Sequence, residues 1–370
     1  MRSIDLFTVL YGNSPLYELE LFGSLYSAWK NRGNVNLQIS IFTDRARPSL
    51  DNYPFKINQI QITDDEWREW TNAGKEKHLI KMHTMKKMLD LATGPVIFFD
   101  TDIIFKAPLQ VLTDKIGQRN TLMQAPEGEL GDYPVWKNFV ESLPASDSPF
   151  ADTVSLTSPM FNSGIVGMMP EHAPLMSEAI ALAEDLYSRQ SIFNIEQFAT
   201  GKVLSDRTQL STCEDDVLHY WGWRRNFIHI ELERLRSAIS ATNWSDGAGL
   251  DVVETSPRIN PVDKLQAFFW SLLHRDDPQK YLRFSYLSYL SSLRHSKDAQ
   301  MANAWLDNSL TFMAMHVETN QKLVAGPNIY FLADFFSQPP AWLSAQNLEV
   351  LRNMLHSARK GSFSGTMGNP

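Results

Sequence analysis

Residues 96–105 read VIFFDTDIIF: two apolar runs held apart by Asp100, Thr101 and Asp102. No other stretch limits the fold so tightly. A carboxylate taken out of water without a cation, a metal or hydrogen-bond donors is strongly unfavourable. The chain therefore has to reach the end of a buried strand at this point. On an extended strand residues i and i+2 face one side. Asp100 and Asp102 are thus expected to converge while Thr101 points away. Two convergent carboxylates at a strand end suit a hard divalent cation such as Mn²⁺ or Mg²⁺. The plainer alternative is a strand end with solvated carboxylates.

The flanking sequence supplies the sheet. IDLFTVL (4–10) reads as a first strand, followed by the loop YGNSP and an amphipathic helix from about Leu16 to Lys30 that closes near Gly33. LQISIFT (37–43) is a second strand ending at Asp44, and 57–62 a short third. A helix from about Lys77 to Leu91 is stopped by Thr93-Gly94-Pro95, and VIFF follows. Strands alternating with helices predict a mostly parallel α/β sheet, whose ligands sit at the carboxyl ends of the strands. Further on, 160–168 (MFNSGIVGM) reads as a strand with an Asn-Ser-Gly break that needs a backbone reason, and a helix follows from about Ala173 to Tyr187.

Near residue 236 the composition changes. A polar, turn-rich stretch over 236–261 reads as a linker, 262–356 is mainly helical in pattern, and 357–370 has the composition of a disordered tail. The sequence thus predicts a first domain over 1–235 and a helical C-terminal region expected to bind a substrate, close over the site or mediate self-association. With 370 residues, 43% of them hydrophobic, the chain is large enough for such a core. A net charge of −8 argues against broad nucleic-acid binding. The single cysteine, Cys213, rules out an intrachain disulfide and a cysteine metal cluster. The N-terminus enters a strand pattern directly, with no signal-peptide core, and no run of about 18 apolar residues occurs. A cytoplasmic protein without a membrane span is the expectation.

Two enzyme families place Asp-x-Asp after an apolar strand. Haloacid-dehalogenase phosphatases open their domain with it, want Thr or Val where Ile104 stands, and need a later GDxxxD-type motif; this sequence fails on all three. The other is the nucleotide-sugar glycosyltransferases. Over roughly residues 1–230 the sequence resembles retaining glycosyltransferase family 8, which includes glycogenin and bacterial lipopolysaccharide galactosyltransferases. The resemblance rests on an ordered set: LIKMH with Lys81, FFDTDIIF with Asp100 and Asp102, FNSG at 161–164, Glu196-Gln197, and HYWGWRRNF at 219–227 against the family's H-x-x-G-x-x-K-P-W.

That resemblance implies a GT-A (Rossmann-like) nucleotide-sugar-binding domain and a metal-dependent transferase. It would move a sugar from a UDP-sugar to an acceptor (glycan, protein or small molecule), with retention. It implies Mn²⁺ or Mg²⁺ on Asp100, Asp102 and His219. Donor contacts are implied for Lys81, Asn162, Gly164, Gly222 and Arg225, with Thr8 and Tyr11 near the base. Glu196 and Gln197 line the reaction centre, where the neutral Gln197 is better suited to stabilising or positioning than to nucleophilic attack. Departures are Glu196 for Asp, Arg225 for Lys and Asn226-Phe227 for Pro-Trp. An inverting enzyme and an inactive nucleotide-sugar-binding or protein-binding homologue are the rival readings. Trp221 and Trp223 are candidates for stacking or core. Trp244 and Asp246 are placed near an acceptor by position alone. Glu214-Asp215-Asp216 reads as a solvated loop, and His78 and His83 as surface or core-edge residues.

Overall fold

The computed structural model describes residues 3–143, 147–239, 244, 259–273, 280–319 and 340–350. Most of the expected linker, Asp246 and the expected disordered tail lie outside these. The chain divides into two compact units, Met1–Trp221 with Leu232–Glu254, and Gly222–Glu231 with Thr255–Pro370.

The first unit begins with β1 (Ser3–Leu10), α1 (Pro15–Lys30), β2 (Asn36–Thr43) and β3 (Ile57–Gln61). Pro15 opens α1, Glu18 lies in its first turn and Lys30 in its last, each matched to the local helix polarity. Next come α2 (Asp64–Trp70), α3 (Leu79–Leu91), β4 (Val96–Phe99), β5 (Ile103–Phe105), α4 (Leu109–Thr113) and β6 (Asn120–Glu129). α2, which has no clear apolar period, is set by a capping box: Glu66 N–H donates to Thr63 Oγ1 (3.2 Å) and Thr63 N–H to Glu66 Oε2 (3.0 Å). The unit continues with α5 (Pro134–Ser142), β7 (Pro159–Met168), α6 (Ala173–Arg189), α7 (Ile195–Arg207), β8 (Gln209–Thr212) and β9 (Val217–His219).

Seven strands form one sheet in the order β3-β2-β1-β4-β7-β6-β8, and β5 pairs with β9 separately. β7 alone runs against its neighbours; β3, β2, β1 and β4 are mutually parallel, as are β6 and β8. This is the α/β class with a largely parallel sheet that the strand–helix alternation requires. One face packs Ile4, Leu6, Ile39, Ile97 and Phe99 against Leu21 and Leu25 of α1. The other packs Phe7, Phe42, Phe98 and Val166 against Met82 and Met85 of α3 and Phe198 of α7. Burial on both faces explains why VIFF is an unbroken apolar run. Each such fully buried side chain contributes about 1.5–3 kcal/mol.

In the second unit, α8 (Arg225–Ala238) contributes its first residues and α9 (Pro261–Leu273), α10 (Lys280–Arg294) and α11 (Ala299–Thr319) follow. The helical character expected for 262–356 is present in these elements. α10 and α11 are joined by reciprocal bonds, Ser285 Oγ to Ser309 O (2.7 Å) and Ser309 Oγ to Ser285 O (2.8 Å). Phe227, Ile230, Ala304 and Trp305 form its small core. No described helix of either unit is long and apolar enough to cross a membrane.

Candidate metal centre

β4 ends at Phe99, and Thr101 and Asp102 form a turn rather than extended strand. This corrects the expected strand geometry, though not its outcome. α1 holds the turn from behind: Ser24 Oγ lies 2.6 Å from both Thr101 O and Ile103 O, and Thr101 Oγ1 donates to the buried Glu20 (3.1 Å). Thr101 therefore faces α1, and the two aspartates face the other way.

The third member arrives through pairing that the sequence does not display. β5 and β9 are antiparallel, with Ile103 opposite His219, and Tyr220 N–H donates to Asp102 O (3.2 Å). His219 Nε2 lies 3.2 Å from Asp102 Oδ1, and ligand atoms of Asp100, Asp102 and His219 all fall within 4.8 Å of one another. Among the described residues this is the one cluster of three or more such groups. Adjacent ligands in an octahedral shell with bonds of about 2.1 Å are about 3 Å apart. The 3.2 Å between His219 and Asp102 is such a separation, and two carboxylates with an imidazole are a donor set suited to a divalent first-row cation. Lys81 Nζ sits 2.9 Å from both Asp100 oxygens and 3.0 Å from Ser163 Oγ, so a cation already faces this carboxylate.

The Asn-Ser-Gly break in β7 now has its reason. A Cβ on Gly164 would lie 2.6 Å from His219 Cε1 and 2.7 Å from Nδ1. The imidazole stacks where a side chain would stand, and its buried Nδ1 has no hydrogen-bond partner among the described residues. Gly164 N–H donates to Asn162 Oδ1 (2.8 Å), and Gly164 O accepts from Asp100 N–H (2.8 Å). β7 thus ties the glycine to the first aspartate.

Beside this cluster lies a second network centred on Glu127, which the sequence reading missed. Glu127 Oε1 accepts from Asn162 Nδ2 and Oε2 from Gln197 Nε2, both at 2.7 Å. Gln197 Oε1 accepts from Ser163 N–H (3.3 Å). One carboxylate fixes both amides. The β6–β7 register shifts between Pro126 and Glu129, and Gly128 within this bulge has φ +93°. Bulges re-aim side chains, and in the sequence Pro126-Glu127-Gly128 has the composition of a loop.

The other expected residues are placed as follows. Glu196, at the start of α7, is buried and accepts a bond from Tyr187 OH (3.2 Å); burial, then the charge of Glu196, raises the Tyr187 phenol above its ordinary value. Thr8 is buried in β1, level with Ile41 of β2. Tyr11 is exposed and stacks on Trp67 (5.9 Å between centroids). Gly222, with φ +74°, and Arg225, the first residue of α8, belong to the second unit. Trp221 is exposed, whereas Trp223 packs on the core of the second unit. Trp244 is buried among Phe22, Tyr26, Tyr53 and Phe55, a packing position rather than an open contact. Asp216 pairs with Lys115 (2.6 Å) instead of being solvated. His78 is exposed, and His83 stacks on Trp70.

No protein-family model matches the chain, and no curated protein does. Solved structures do. The chain is similar to a galactosyltransferase, LgtC, solved with donor and acceptor sugar analogues: 13% identity, 69% of this chain and 98% of that one, TM-score 0.42. It is similar to mouse xyloside xylosyltransferase 1 (15% identity, 57% and 85% covered, TM-score 0.40). It is also similar to the glycosyltransferase GlyE of Streptococcus pneumoniae (13% identity, 70% and 66% covered, TM-score 0.42). All three are glycosyltransferases. At these identities and TM-scores the likeness does not reach site residues or substrates.

Proposed function

We propose that this chain is a metal-dependent glycosyltransferase that takes its sugar from a UDP-sugar and transfers it with retention. The observation that carries the reading is the convergence of Asp100, Asp102 and His219 beyond the carboxyl end of β4, with the Glu127–Asn162–Gln197 network beside it. The three ligands would hold Mn²⁺ in preference to Mg²⁺, because an imidazole in the set favours a first-row transition ion. When bound, such an ion supplies Lewis-acid stabilisation to a diphosphate leaving group.

The protein's own groups have separate tasks. Lys81 balances the charge of Asp100 and would offer its ammonium to a donor held at the metal. Arg225, six residues after His219, is assigned the β-phosphate by the motif, where a guanidinium offers a bidentate and permanent charge. Asn162 and Gln197 bind the sugar hydroxyls and face its anomeric carbon. Glu127 keeps both amides in one orientation, and such pre-set dipoles are worth on the order of 3 kcal/mol per donor at the transition state. Glu196 shapes the sugar pocket from its anchored position on Tyr187.

Retention is the outcome that the likeness to retaining family 8 implies; Glu127, each of whose oxygens accepts one amide bond, is assigned the orientation of Asn162 and Gln197 rather than the part of a base. The acceptor hydroxyl then attacks from the face the UDP leaves, its proton passing to the departing phosphate. The test is UDP release from a panel of UDP-sugars in Mn²⁺ or EDTA, with wild type and Asp102→Asn. One donor hydrolysed only with metal, and not by the variant, supports the proposal. Release that is equal in EDTA and in the variant contradicts it. Product anomer analysis separates retention from inversion.

A further inference from the structure

Strands β1, β2 and β3 share an anomaly at the end of the sheet away from the aspartates. Parallel strands covered on both faces read as continuous apolar runs. On the face toward α3, each of these three is instead polar first and apolar later. Ser3 and Asp5 precede Phe7, Gln38 and Ser40 precede Phe42, and Asn58 precedes Ile60. The register sets Asp5 beside Gln38 and Ser40 beside Asn58, so the polar positions form one continuous patch.

The helix above it explains where the polarity stops. Met82 and Met85 of α3 cover the apolar half of the face, and α3 ends at Leu91 before the chain turns back into β4. Below that end lies a groove of about 890 Å³, floored by the polar patch and walled by Met88, Leu91, Pro95 and Ile116, with Asp114 from the end of α4. Its size is that of a small-ligand site, which typically spans about 300–1,000 Å³. Leu91 is 60% exposed there.

The lining has a definite chemistry. It holds two carboxylates, two carboxamides and several hydroxyls, and among the described lining residues no Lys, Arg or His. Asp5 is half-buried, yet its carboxylate has no hydrogen-bond or ion-pair partner among the described residues, and burial raises its pKa above the ordinary value. The neighbouring amides make only long contacts, Gln38 Nε2 to Ser3 Oγ and Asn58 Nδ2 to Ser40 Oγ, each 3.4 Å. A half-buried unpaired acid is costly to keep. A lining whose described residues carry no cation does not select phosphates or carboxylates. Carboxylates and carboxamides have paired polar atoms that span adjacent hydroxyl groups, and an apolar wall accepts the C–H face of a pyranose.

We infer that this groove binds a neutral saccharide, separately from the Asp100–Asp102–His219 centre. Val96 is level with Asp5, and Asp100 lies four residues further along, about 13 Å at the rise of a strand. A sugar seated at Asp5 is therefore held, not transformed, by this end of the sheet.

The test uses the full-length protein in EDTA without nucleotide, so that failure of the metal-centre reading cannot affect it. Tetrasaccharides of glucose, galactose, mannose, xylose and N-acetylglucosamine are screened by saturation-transfer NMR. At least one is expected to bind, about tenfold more weakly to Asp5→Asn, because a charge-assisted bond becomes a neutral one. Ser40→Leu, which fills the groove floor, is expected to abolish binding. Melting curves of both variants confirm folding, and Asp5→Asn, being isosteric, serves if Ser40→Leu does not fold. No signal from any of the five overturns the inference. So does binding that Asp5→Asn leaves unchanged, or a response to spermidine in place of the sugars.

Discussion

Gly164→Ala is the sharpest perturbation this centre offers, because its cost is set by one neighbour. The added Cβ would stand 2.6 Å from His219 Cε1 and 2.7 Å from Nδ1. Ordinary carbon contacts lie at about 3.5–4.0 Å, so the ring has to retreat by about 1 Å. It has little freedom to do so, since Ile103 pairs with His219 and Tyr220 N–H is bonded to Asp102 O. Overpacking of this kind costs about 1–3 kcal/mol, or roughly 1–4 °C in Tm for a chain of 370 residues. A ligand ring pushed aside weakens metal binding about 10–100-fold, as loss of a supporting contact does. Calorimetry of Gly164→Ala, His219→Ala and the double variant, with Mn²⁺ titrations of the first, measures both effects. The account expects the alanine at 164 to cost almost nothing once His219 is gone, a coupling of about 1–3 kcal/mol. If Gly164→Ala costs the same in both backgrounds, the imidazole is not what excludes a side chain there. The reasoning about the Asn-Ser-Gly break is then wrong. The 3.1 Å approach to Asn162 Oδ1 is common to both backgrounds and cannot produce the coupling.

Other consequences are as direct. Glu127→Gln turns an amide hydrogen toward either Asn162 Nδ2 or Gln197 Nε2 and releases that amide, while its remaining oxygen still accepts from the other; kcat is expected to fall about 100-fold with KM for the donor changed far less, and an equal loss in both would contradict a positioning role. Lys81→Met removes the cation from Asp100, so the metal-free protein is expected to lose about 1–2 kcal/mol and to gain more from Mn²⁺ in thermal melts than wild type; an equal gain would refute it. His83, stacked on Trp70 with Nε2 3.9 Å from Glu184, is held by burial down to a pKa of about 4. The unfolded chain takes up that proton first, so stability is expected to fall as pH drops from about 6.5 to about 4 and to level off below. The full effect is at most about 3 kcal/mol, about half that for a ring partly open to solvent. His83→Phe, which keeps the stack, is expected to flatten that slope.

The parts legible in the sequence were those governed by local pattern. β1, α1, β2, VIFF, β7 and α6 lie within two residues of where their periodicity puts them. The two aspartates stood out by residue type and spacing, and His219 by its place in a motif that resembles the family's. What was hidden depends on pairing between distant strands. Nothing in MFNSGIVGM says that β7 runs against its neighbours, since apolar alternation is the same in either direction. α2 was hidden because a capping box, not an apolar stripe, defines it. Glu127 was hidden because Pro126 and Gly128 look like a loop until β7 pairs alongside and makes a bulge of them. The polar starts of β1, β2 and β3 were visible one by one, but only the register shows that they form one surface.

The central claim is that Asp100, Asp102 and His219 hold a divalent cation that in turn holds a nucleotide diphosphate. Mn²⁺ titration followed by the electron paramagnetic resonance of the free ion, with and without UDP, tests it before any donor sugar or acceptor is known. The account predicts one Mn²⁺ per chain, bound more tightly when UDP is present, with both effects lost in Asp102→Asn and His219→Ala. A free-ion signal that the protein does not diminish, or binding that survives both substitutions, would contradict it.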